Sequence, residues 1–334
     1  IVGLVFYFFF GRSQRRERII GQKSYDRLLK KPMAEYLAQD CSAVPEEYAR
    51  LIQLFQHTNQ AFPFEGNRIA VYTEGYTKLQ SLLRELQKAK QHIHMEYYIF
   101  EDDAIGRLVR DVLIEKASQG VEVRVIYDDV GCWHVPNRFF EEMRNAGIEV
   151  RSFLKVRFPL FTSRVNYRNH RKIVVVDGRI GFVGGMNLAE RYMRGFSWGI
   201  WRDTHILIEG KAVHGLQTAF LLDWYFVDRT LITASRYFPK IESCGNSLVQ
   251  VVTSEPIGPW KEIMQGLTMA INGAKKYFYM QTPYFLPTEQ VLAAMQTAAL
   301  AGVDIRLMLP ERADNRITHL GSHSYLRDVL QAGV

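Results

Sequence analysis

The sequence predicts an α/β protein with a duplicated domain, in which a mixed, largely parallel sheet is flanked by helices. Two observations predict this fold class. A strand, helix, strand order occurs twice along the chain with matching residues, and each helical segment carries apolar residues three and four positions apart. The composition of the 334 residues agrees, because 47% hydrophobic and 23% charged side chains suit a folded core and exclude disordered or collagen-like chains.

The N-terminal residues 1–11, IVGLVFYFFFG, form an apolar run that ends at a cluster of arginines. The run is too short to cross a bilayer, which takes about 20 residues, so we expect it to be the end of a transmembrane helix. Residues 12–60 then form a basic juxtamembrane or linker segment, and the arginines predict that the following domains lie on the cytoplasmic side of a cell membrane. The alternative is a buried strand at the N-terminus.

The internal repeat predicts two domains, over residues 61–250 and 251–334. Both copies begin with a predicted strand, since AKQHIHMEYYIF at 89–100 aligns without gaps with AKKYFYMQTPYF at 274–285. A helix and a second, parallel strand follow in each copy: the helices are 106–120 and 289–302, and the strands are 121–129 and 303–311. In the first copy, RNAGIEV at 144–150 leads into a third strand, and LQAGV at 330–334 is its counterpart in the second copy. We therefore expect the second copy to be truncated at the start of its third strand.

The most informative stretch is NYRNHRKIVVVDGRIGFVGGMN at residues 166–187. IVVV predicts a buried strand, DG a tight turn and IGFVGG the returning strand. Side chains alternate along a strand, so His170 and Lys172 are expected to point the same way at its start. An imidazole beside an ammonium group favours an anion between them, and Asn187 returns level with the pair. The pattern therefore predicts a phosphate site at His170, Lys172 and Asn187.

The spacing HxKxxxxD followed by GGxN resembles the HKD motif of the phospholipase D superfamily. Together with WRDTHILIEG, QTPYFLPT and the N-terminal segment, it resembles bacterial cardiolipin synthases over nearly the whole chain. The resemblance implies two such motifs facing each other across one active site. The offset of the repeat predicts the second motif about 20 residues beyond Val334, so the chain by itself is expected to be almost inactive.

The resemblance implies catalysis by His170, Lys172 and Asp177, the three residues for which the motif is named. His170 is expected to attack phosphorus and form a phosphohistidine, while Lys172 and Asn187 hold the phosphate oxygens. Asp203 is expected to orient the imidazole, as a carboxylate does in a serine protease triad. The position of Asp177 in the DG turn argues instead that it holds the hairpin.

The expected activity is that of a phosphatidyltransferase, which moves a phosphatidyl group from one phosphatidylglycerol to another and releases glycerol. The alternative is a phospholipase D-type phosphodiesterase that acts on nucleic acid or on another phospholipid headgroup. A net charge of +7 suits either polyanion. The apolar N-terminus and the segment 153–164 favour a membrane lipid over nucleic acid. The resemblance implies phosphatidylglycerol and other anionic membrane lipids as partners, and a homo-oligomer is left open.

Aromatic and basic residues close to the motif predict contact with lipid. The segment FLKVRFPLFTSR at 153–164 interleaves the two types, and MRGFSWGIW at 193–201 adds tryptophan. The residues expected to touch lipid or the membrane are Phe153, Phe158, Phe161, Arg157, Arg164 and Trp198. The alternative is that they are ordinary core and loop aromatics.

No metal and no cofactor are expected. The acidic residues 101–103 precede a predicted helix, where carboxylates cap the N-terminus. The aspartates at 128–129 end a strand and are a weak candidate for a cation site. His92 and His94 share one strand face without a third ligand nearby, so packing is favoured over zinc binding.

Overall fold

The computed structural model describes residues 26–30, 34, 45–155, 168–197, 199, 201–255, 259–312 and 314–334. Two compact units contain most of them, one over residues 61–251 and the other over residues 45–60 with 252–334. Helix α1 (Glu46–Asn59), which the sequence interpretation assigned to the linker, belongs to the second unit. Among the described residues, no helix is both long enough and apolar enough to cross a membrane. The predicted transmembrane remnant at 1–11 lies outside them.

The first unit is built around an eight-stranded sheet. Its strands are β1 (Pro63–Tyr72), β2 (His92–Tyr97), β3 (Glu122–Asp128), β4 (Glu149–Phe153), β5 (Ile173–Val176), β6 (Ile180–Gly184), β7 (His205–Glu209) and β8 (Ser247–Gln250). Its helices are α2 (Gly75–Lys88), α3 (Ala104–Ser118), α4 (Asn137–Asn145), α5 (Arg191–Arg194) and α6 (Val213–Asp228). The predicted order of strand, helix, strand over 89–129 is confirmed by β2, α3 and β3.

The sheet is mixed, with strand order β4-β3-β2-β5-β6-β7-β1-β8. The pairs β2–β3 and β3–β4 are parallel, as the repeat predicts. The other five neighbouring pairs among the described strands are antiparallel, so the prediction of a largely parallel sheet is wrong. The reason is the β5–β6 hairpin, which a three-residue connection forces to be antiparallel and which pairs with β2 on one side and β7 on the other.

Helices cover both faces of this sheet. On one face α2, α3 and α4 bury residues such as Leu82, Leu113 and Phe139 against the strands. On the other face α6 buries Leu216 and Phe220. Strand β2 lies between these layers, and all six of its residues are buried even though HIHMEY contains four ionisable side chains. Buried polar groups require partners, so β2 carries hydrogen-bond networks through the core.

The second unit repeats the first in a shorter form. Its elements after α1 are α7 (Glu262–Gly273), β9 (Tyr277–Gln281), α8 (Glu289–Leu300), β10 (Asp304–Met308), α9 (Arg316–Ser324) and α10 (Leu326–Gln331). Strands β9 and β10 are parallel, with Tyr277 opposite Asp304. This order of β9, α8 and β10 matches β2, α3 and β3, and confirms the duplicated strand, helix, strand unit.

The hairpin that carries the motif turns at Asp177 and Gly178. Both residues have positive φ, 52° and 65°, which is the turn geometry that fits the twist of two antiparallel strands. A Cβ atom on Gly178 would lie 2.5 Å from the carbonyl oxygen of Tyr237, so the close approach also requires glycine. The hairpin is thereby held at one end, and its opposite end carries the candidate site.

Candidate active site

His170 and Lys172 lie on the same side of the segment that enters β5, as strand alternation predicts. The imidazole ring is 4.6 Å from the ring of Tyr98, centroid to centroid, and the Lys172 Nζ atom lies 5.2 Å from the centre of the same ring. Tyr98 immediately follows β2, the parallel neighbour of β3. The site therefore opens at the carboxyl end of the parallel strands, where ligands bind in open α/β sheets.

The imidazole of His170 is uncharged at neutral pH. Partial burial and, to a smaller extent, the nearby Lys172 lower its pKa to about 4, because both disfavour a second positive charge. The residue nevertheless keeps an exposed surface. A neutral, accessible imidazole has a lone pair available for nucleophilic attack.

Lys172 is buried, with only 1% of its surface exposed. Its Nζ atom donates a 2.6 Å hydrogen bond to the carbonyl oxygen of His170. Burial lowers the pKa of the amine to about 7, although the carboxyl groups of Asp203, Asp128 and Glu96 act in the opposite direction. An anion bound next to this amine would favour its charged form.

Asn187 is buried beside the segment that follows β2. Its Oδ1 atom accepts a 3.0 Å hydrogen bond from the amide of Ile99, the residue after Tyr98. Its Nδ2 atom donates to the hydroxyl of Tyr192 at 2.5 Å. The amide carries two N–H groups and one of them is committed to Tyr192, so phosphate contact by Asn187 stays a prediction.

Asp203 lies next to the glycine pair of the motif. A Cβ atom on Gly185 would be 2.0 Å from the Asp203 Oδ1 atom, which explains the need for glycine there. Oδ1 accepts a 2.6 Å hydrogen bond from the amide of Thr204. Burial raises the pKa of this carboxyl, while Lys172 opposes the rise. The electrostatic partner of Asp203 is thus Lys172, and its predicted role in orienting His170 stays a prediction.

Asp177 is separated from His170 and Lys172 by the length of β5. Its carboxylate accepts hydrogen bonds of 2.8–2.9 Å from the backbone amides of Lys90, Gln91 and His92, where the chain enters β2. These contacts join the hairpin turn to β2. These contacts support the hairpin role that its place in the turn predicts, and the catalytic role implied by the resemblance stays a prediction.

The residues predicted to touch lipid fall mostly outside the described part of the chain. The five outside the described ranges are Phe158, Phe161, Arg157, Arg164 and Trp198. Phe153 is described and ends β4, where its ring packs 4.9 Å from Phe226 within a buried cluster. Because its side chain is enclosed by the core, the prediction that Phe153 contacts lipid is corrected.

The other acidic and histidine clusters have structural partners. Asp103 caps α3 by accepting from the amides of Ile105 and Gly106, as predicted. Asp128 accepts from three backbone amides, including that of Asn169. Within the described ranges, no group of three or more histidine, cysteine or acidic side chains could hold a metal ion.

The paired histidines of β2 belong to the core. The ring of His94 stacks on Phe220 at 4.5 Å, and its Nδ1 atom lies 2.7 Å from Nε2 of Gln217. His92 contacts the same Gln217 side chain. Burial lowers the pKa of His94 to about 3, so it is neutral. The packing interpretation of this pair agrees with these contacts.

Five residues near the site were not singled out from the sequence: Tyr98, Glu96, Asn169, Asp223 and His205. Their functional signal is weak because each is one polar residue within a hydrophobic or mixed segment. Asn169 lies directly before His170, and His205 follows Asp203 by two residues. Position next to a residue already singled out is the one clue that could have pointed to Asn169 and His205, and the other three carry no such clue.

Comparison with known proteins identifies relatives of the whole chain. Residues 82–224 and 267–334 match the family model described as cardiolipin synthase, PLD-like domain. The cardiolipin synthase of Geobacillus kaustophilus is 40% identical over 340 residues, a match that covers all of this chain and 68% of that protein. The major cardiolipin synthase ClsA of Bacillus subtilis is 36% identical over 345 residues, covering all of this chain and 71% of that protein.

Among solved structures, the phosphatidylserine synthase of Haemophilus influenzae resembles the chain with a TM-score of 0.59. The match covers 84% of this chain and 73% of that protein at 14% sequence identity. At that identity the likeness concerns the fold, which is the phospholipase D-like arrangement of a mixed sheet flanked by helices.

Proposed function

Because the chain belongs to the cardiolipin synthase family of phospholipase D-like proteins, we propose that it transfers a phosphatidyl group between two phosphatidylglycerol molecules and releases glycerol. The observation that carries the proposal is the pairing of His170 with Lys172 beside the ring of Tyr98. The imidazole supplies a nucleophile, and the amine supplies a positive charge for the phosphate. Both are available at neutral pH in one partly enclosed site.

In the first proposed step, an imidazole nitrogen of His170 attacks the phosphorus of one phosphatidylglycerol. The new nitrogen–phosphorus bond forms as the bond to the headgroup oxygen breaks, and glycerol leaves. Lys172 offsets the negative charge that gathers on the phosphate oxygens, and the second N–H of Asn187 is proposed to do the same. The product is a phosphatidyl group carried covalently on His170.

In the second proposed step, a hydroxyl of the glycerol headgroup of another phosphatidylglycerol attacks the same phosphorus. The nitrogen–phosphorus bond breaks, cardiolipin leaves and the free imidazole returns. The departing glycerol oxygen needs a proton, and the attacking hydroxyl must lose one. We assign both transfers to the histidine of the second motif that the resemblance implies.

Access for lipid is supported by exposed aromatic side chains on both sides of the site. Trp133 is 57% exposed and follows Cys132, whose Sγ atom lies 3.6 Å from the carbonyl oxygen of Tyr98. Phe196 is 39% exposed and packs on Trp201, whose ring lies 5.1 Å from Tyr192. Aromatic side chains are favoured at the boundary between water and lipid. We propose that these two residues face the membrane.

The test uses the natural protein, extended through its second motif, and vesicles of phosphatidylglycerol. Cardiolipin and glycerol are expected in equal amounts. His170→Ala is expected to abolish both products, because the nucleophile is lost. His57→Ala, which removes an exposed histidine of α1, serves as the matched control and is expected to retain full activity. Hydrolysis of DNA without cardiolipin formation, or unchanged product with His170→Ala, would refute the proposal.

A further inference from the structure

The residues on either side of His170 point away from Tyr98 and into a buried polar network. His170 and Lys172 contact the ring of Tyr98, whereas Asn169 and Arg171 reach acidic side chains behind the motif. Asn169 is 7% exposed. The backbone that carries the nucleophile is thus held from its opposite side.

Asn169 is the centre of that network. Its Nδ2 atom donates to Oε1 of Glu96 and, at 3.1 Å, to Oδ2 of Asp223. Its Oδ1 atom accepts a 3.0 Å hydrogen bond from the amide of Arg171, across His170. Its own amide donates to Oδ2 of Asp128 at 3.1 Å. Asparagine can make this set because its side chain offers two donors and one acceptor, which aspartate does not.

These contacts tie the segment before β5 to three separate elements. Glu96 is in β2, Asp128 ends β3 and Asp223 is in α6. The bond from Arg171 to Asn169 also closes a tight turn around the residue between them. The side chain of Asn169 joins β2 and α6, and its backbone amide adds β3. Together they fix the backbone of His170 more firmly than strand pairing alone, because His170 precedes the first residue of β5.

Two buried carboxyl groups share the Nδ2 atom of Asn169. Arg171 forms an ion pair with Asp223. Burial and, next, the nearby Asp223 raise the pKa of Glu96 well above its usual range, and Arg171 and Asn169 only partly offset this. Burial thus favours the protonated form of Glu96. The other charged groups facing this region are Lys172, Asp128 and Arg168, whose Nη1 atom lies 3.5 Å from Oδ1 of Asp128.

We propose that Asn169, hydrogen-bonded to Glu96 and Asp223, is a positioning device that holds His170 in line with Lys172. The inference rests on the proposed function and names residues that act through His170 rather than on the substrate. Ionisation of Glu96 at high pH would add a negative charge beside Asp223 at one amide group. The resulting repulsion would displace Asn169 and, with it, the nucleophile.

The variants Asn169→Asp and Glu96→Gln test this device. Asn169→Asp replaces the donor by a third carboxylate and is expected to lower kcat about 100-fold with KM little changed, since a misplacement of about 1 Å has that effect. Glu96→Gln keeps a neutral acceptor and is expected to retain kcat within about threefold at pH 7, because Gln copies the protonated acid. Asn137→Asp, at an exposed asparagine of α4, is the matched control.

The pH profile separates positioning from a general structural role. Activity of the wild type is expected to fall at alkaline pH in part because Glu96 ionises, and Glu96→Gln is expected to keep more activity there. Lys172 titrates in both proteins, so the difference between the profiles reports on Glu96. Identical alkaline profiles would overturn the proposal, even if Asn169→Asp fails to fold. Wild-type kcat in folded Asn169→Asp would overturn it as well.

Amide hydrogen exchange provides a readout that does not depend on the reaction. Exchange over residues 168–176 is expected to be faster in Asn169→Asp than in the wild type, and unchanged in Asn137→Asp. If the wild type makes no cardiolipin, the proposed function is refuted, while faster exchange in Asn169→Asp still supports the positioning device. If the wild type is active and exchange in Asn169→Asp is unchanged, the device alone is refuted.

Discussion

The Nζ atom of Lys172 donates a 2.6 Å hydrogen bond to the backbone carbonyl oxygen of His170, so the cation of the motif is tied to the backbone of its nucleophile. This bond bends the lysine back over the segment that enters β5. It keeps the amine next to the imidazole; burial lowers the pKa of both groups, and the nearby amine lowers that of the imidazole further. Several measurable consequences depend on this arrangement.

The titration of His170 is expected near pH 4. Since the folded pKa lies below the usual 6.5, the contribution of this group to stability is complete above about pH 6.5, where the imidazole is neutral in both the folded and the unfolded chain. That contribution to stability is lost as pH falls from the usual value through about 4. NMR with ¹⁵N-labelled histidine measures the pKa directly.

Lys172→Met removes a positive charge beside the imidazole and is expected to raise the pKa of His170, although burial keeps it below 6.5. Lys88→Met, at an exposed lysine of α2, is the control and is expected to leave the titration unchanged. A His170 pKa near 6.5 in the wild type would contradict the partial burial of the imidazole and its proximity to Lys172.

Asp203→Asn is expected to weaken phosphate binding at neutral pH. The Asp203 carboxylate favours the charged form of Lys172, so its loss lowers the pKa of the amine below about 7 and leaves less of it protonated. Binding of inorganic vanadate, measured from pH 5.5 to 8.5, is expected to weaken several-fold at pH 7.5 and to recover at pH 6. Asp111→Asn removes an exposed carboxylate of α3 as a control. The same pH dependence in Asp203→Asn and wild type would contradict the pairing.

Asp177→Ala is expected to destabilise the protein by about 2 kcal/mol or more, because three backbone amides lose a charged acceptor and alanine disfavours the positive φ. Asp177→Asn keeps the Oδ1 acceptor and tolerates that φ, so its loss is expected to be smaller. Urea unfolding measures both. Activity per folded molecule is expected to stay at the wild-type value. A loss as deep as that of His170→Ala would instead indicate a catalytic role for Asp177.

Trp133→Ala is expected to weaken binding to phosphatidylglycerol vesicles about tenfold, since moving an indole out of lipid costs about 1.4 kcal/mol or more. Phe196→Ala is expected to have a smaller effect because less of its ring is exposed. Vesicle sedimentation gives the partition constants. Trp260→Ala, at a tryptophan of the second unit that is 49% exposed, is the control. Equal losses of vesicle binding in Trp133→Ala and Trp260→Ala would argue against a specific membrane-facing role for Trp133 and Phe196.

The sequence by itself determined the local and repeated features of this protein. The duplicated strand, helix, strand order follows from apolar periodicity and matching residues. The hairpin follows from IVVV-DG-RIGFVGG, because a strand with branched side chains next to an Asp-Gly turn has one favourable local structure. The common face of His170 and Lys172 follows from alternation along an extended chain. Each depends on neighbours within a few residues, which is why pattern alone suffices.

Only the tertiary structure decided what surrounds the motif. Whether Phe153 faces lipid or core depends on Phe226, 73 positions later in the chain. The mainly antiparallel pairing depends on where the hairpin enters the sheet, and hydrophobic pattern does not specify that choice of neighbours. The contact of Asn169 with Glu96 and Asp223 joins residues distant in sequence, and burial among them sets the charge of each. Desolvation and long-range pairing are properties of the packed chain, so they are absent from any local pattern of residues.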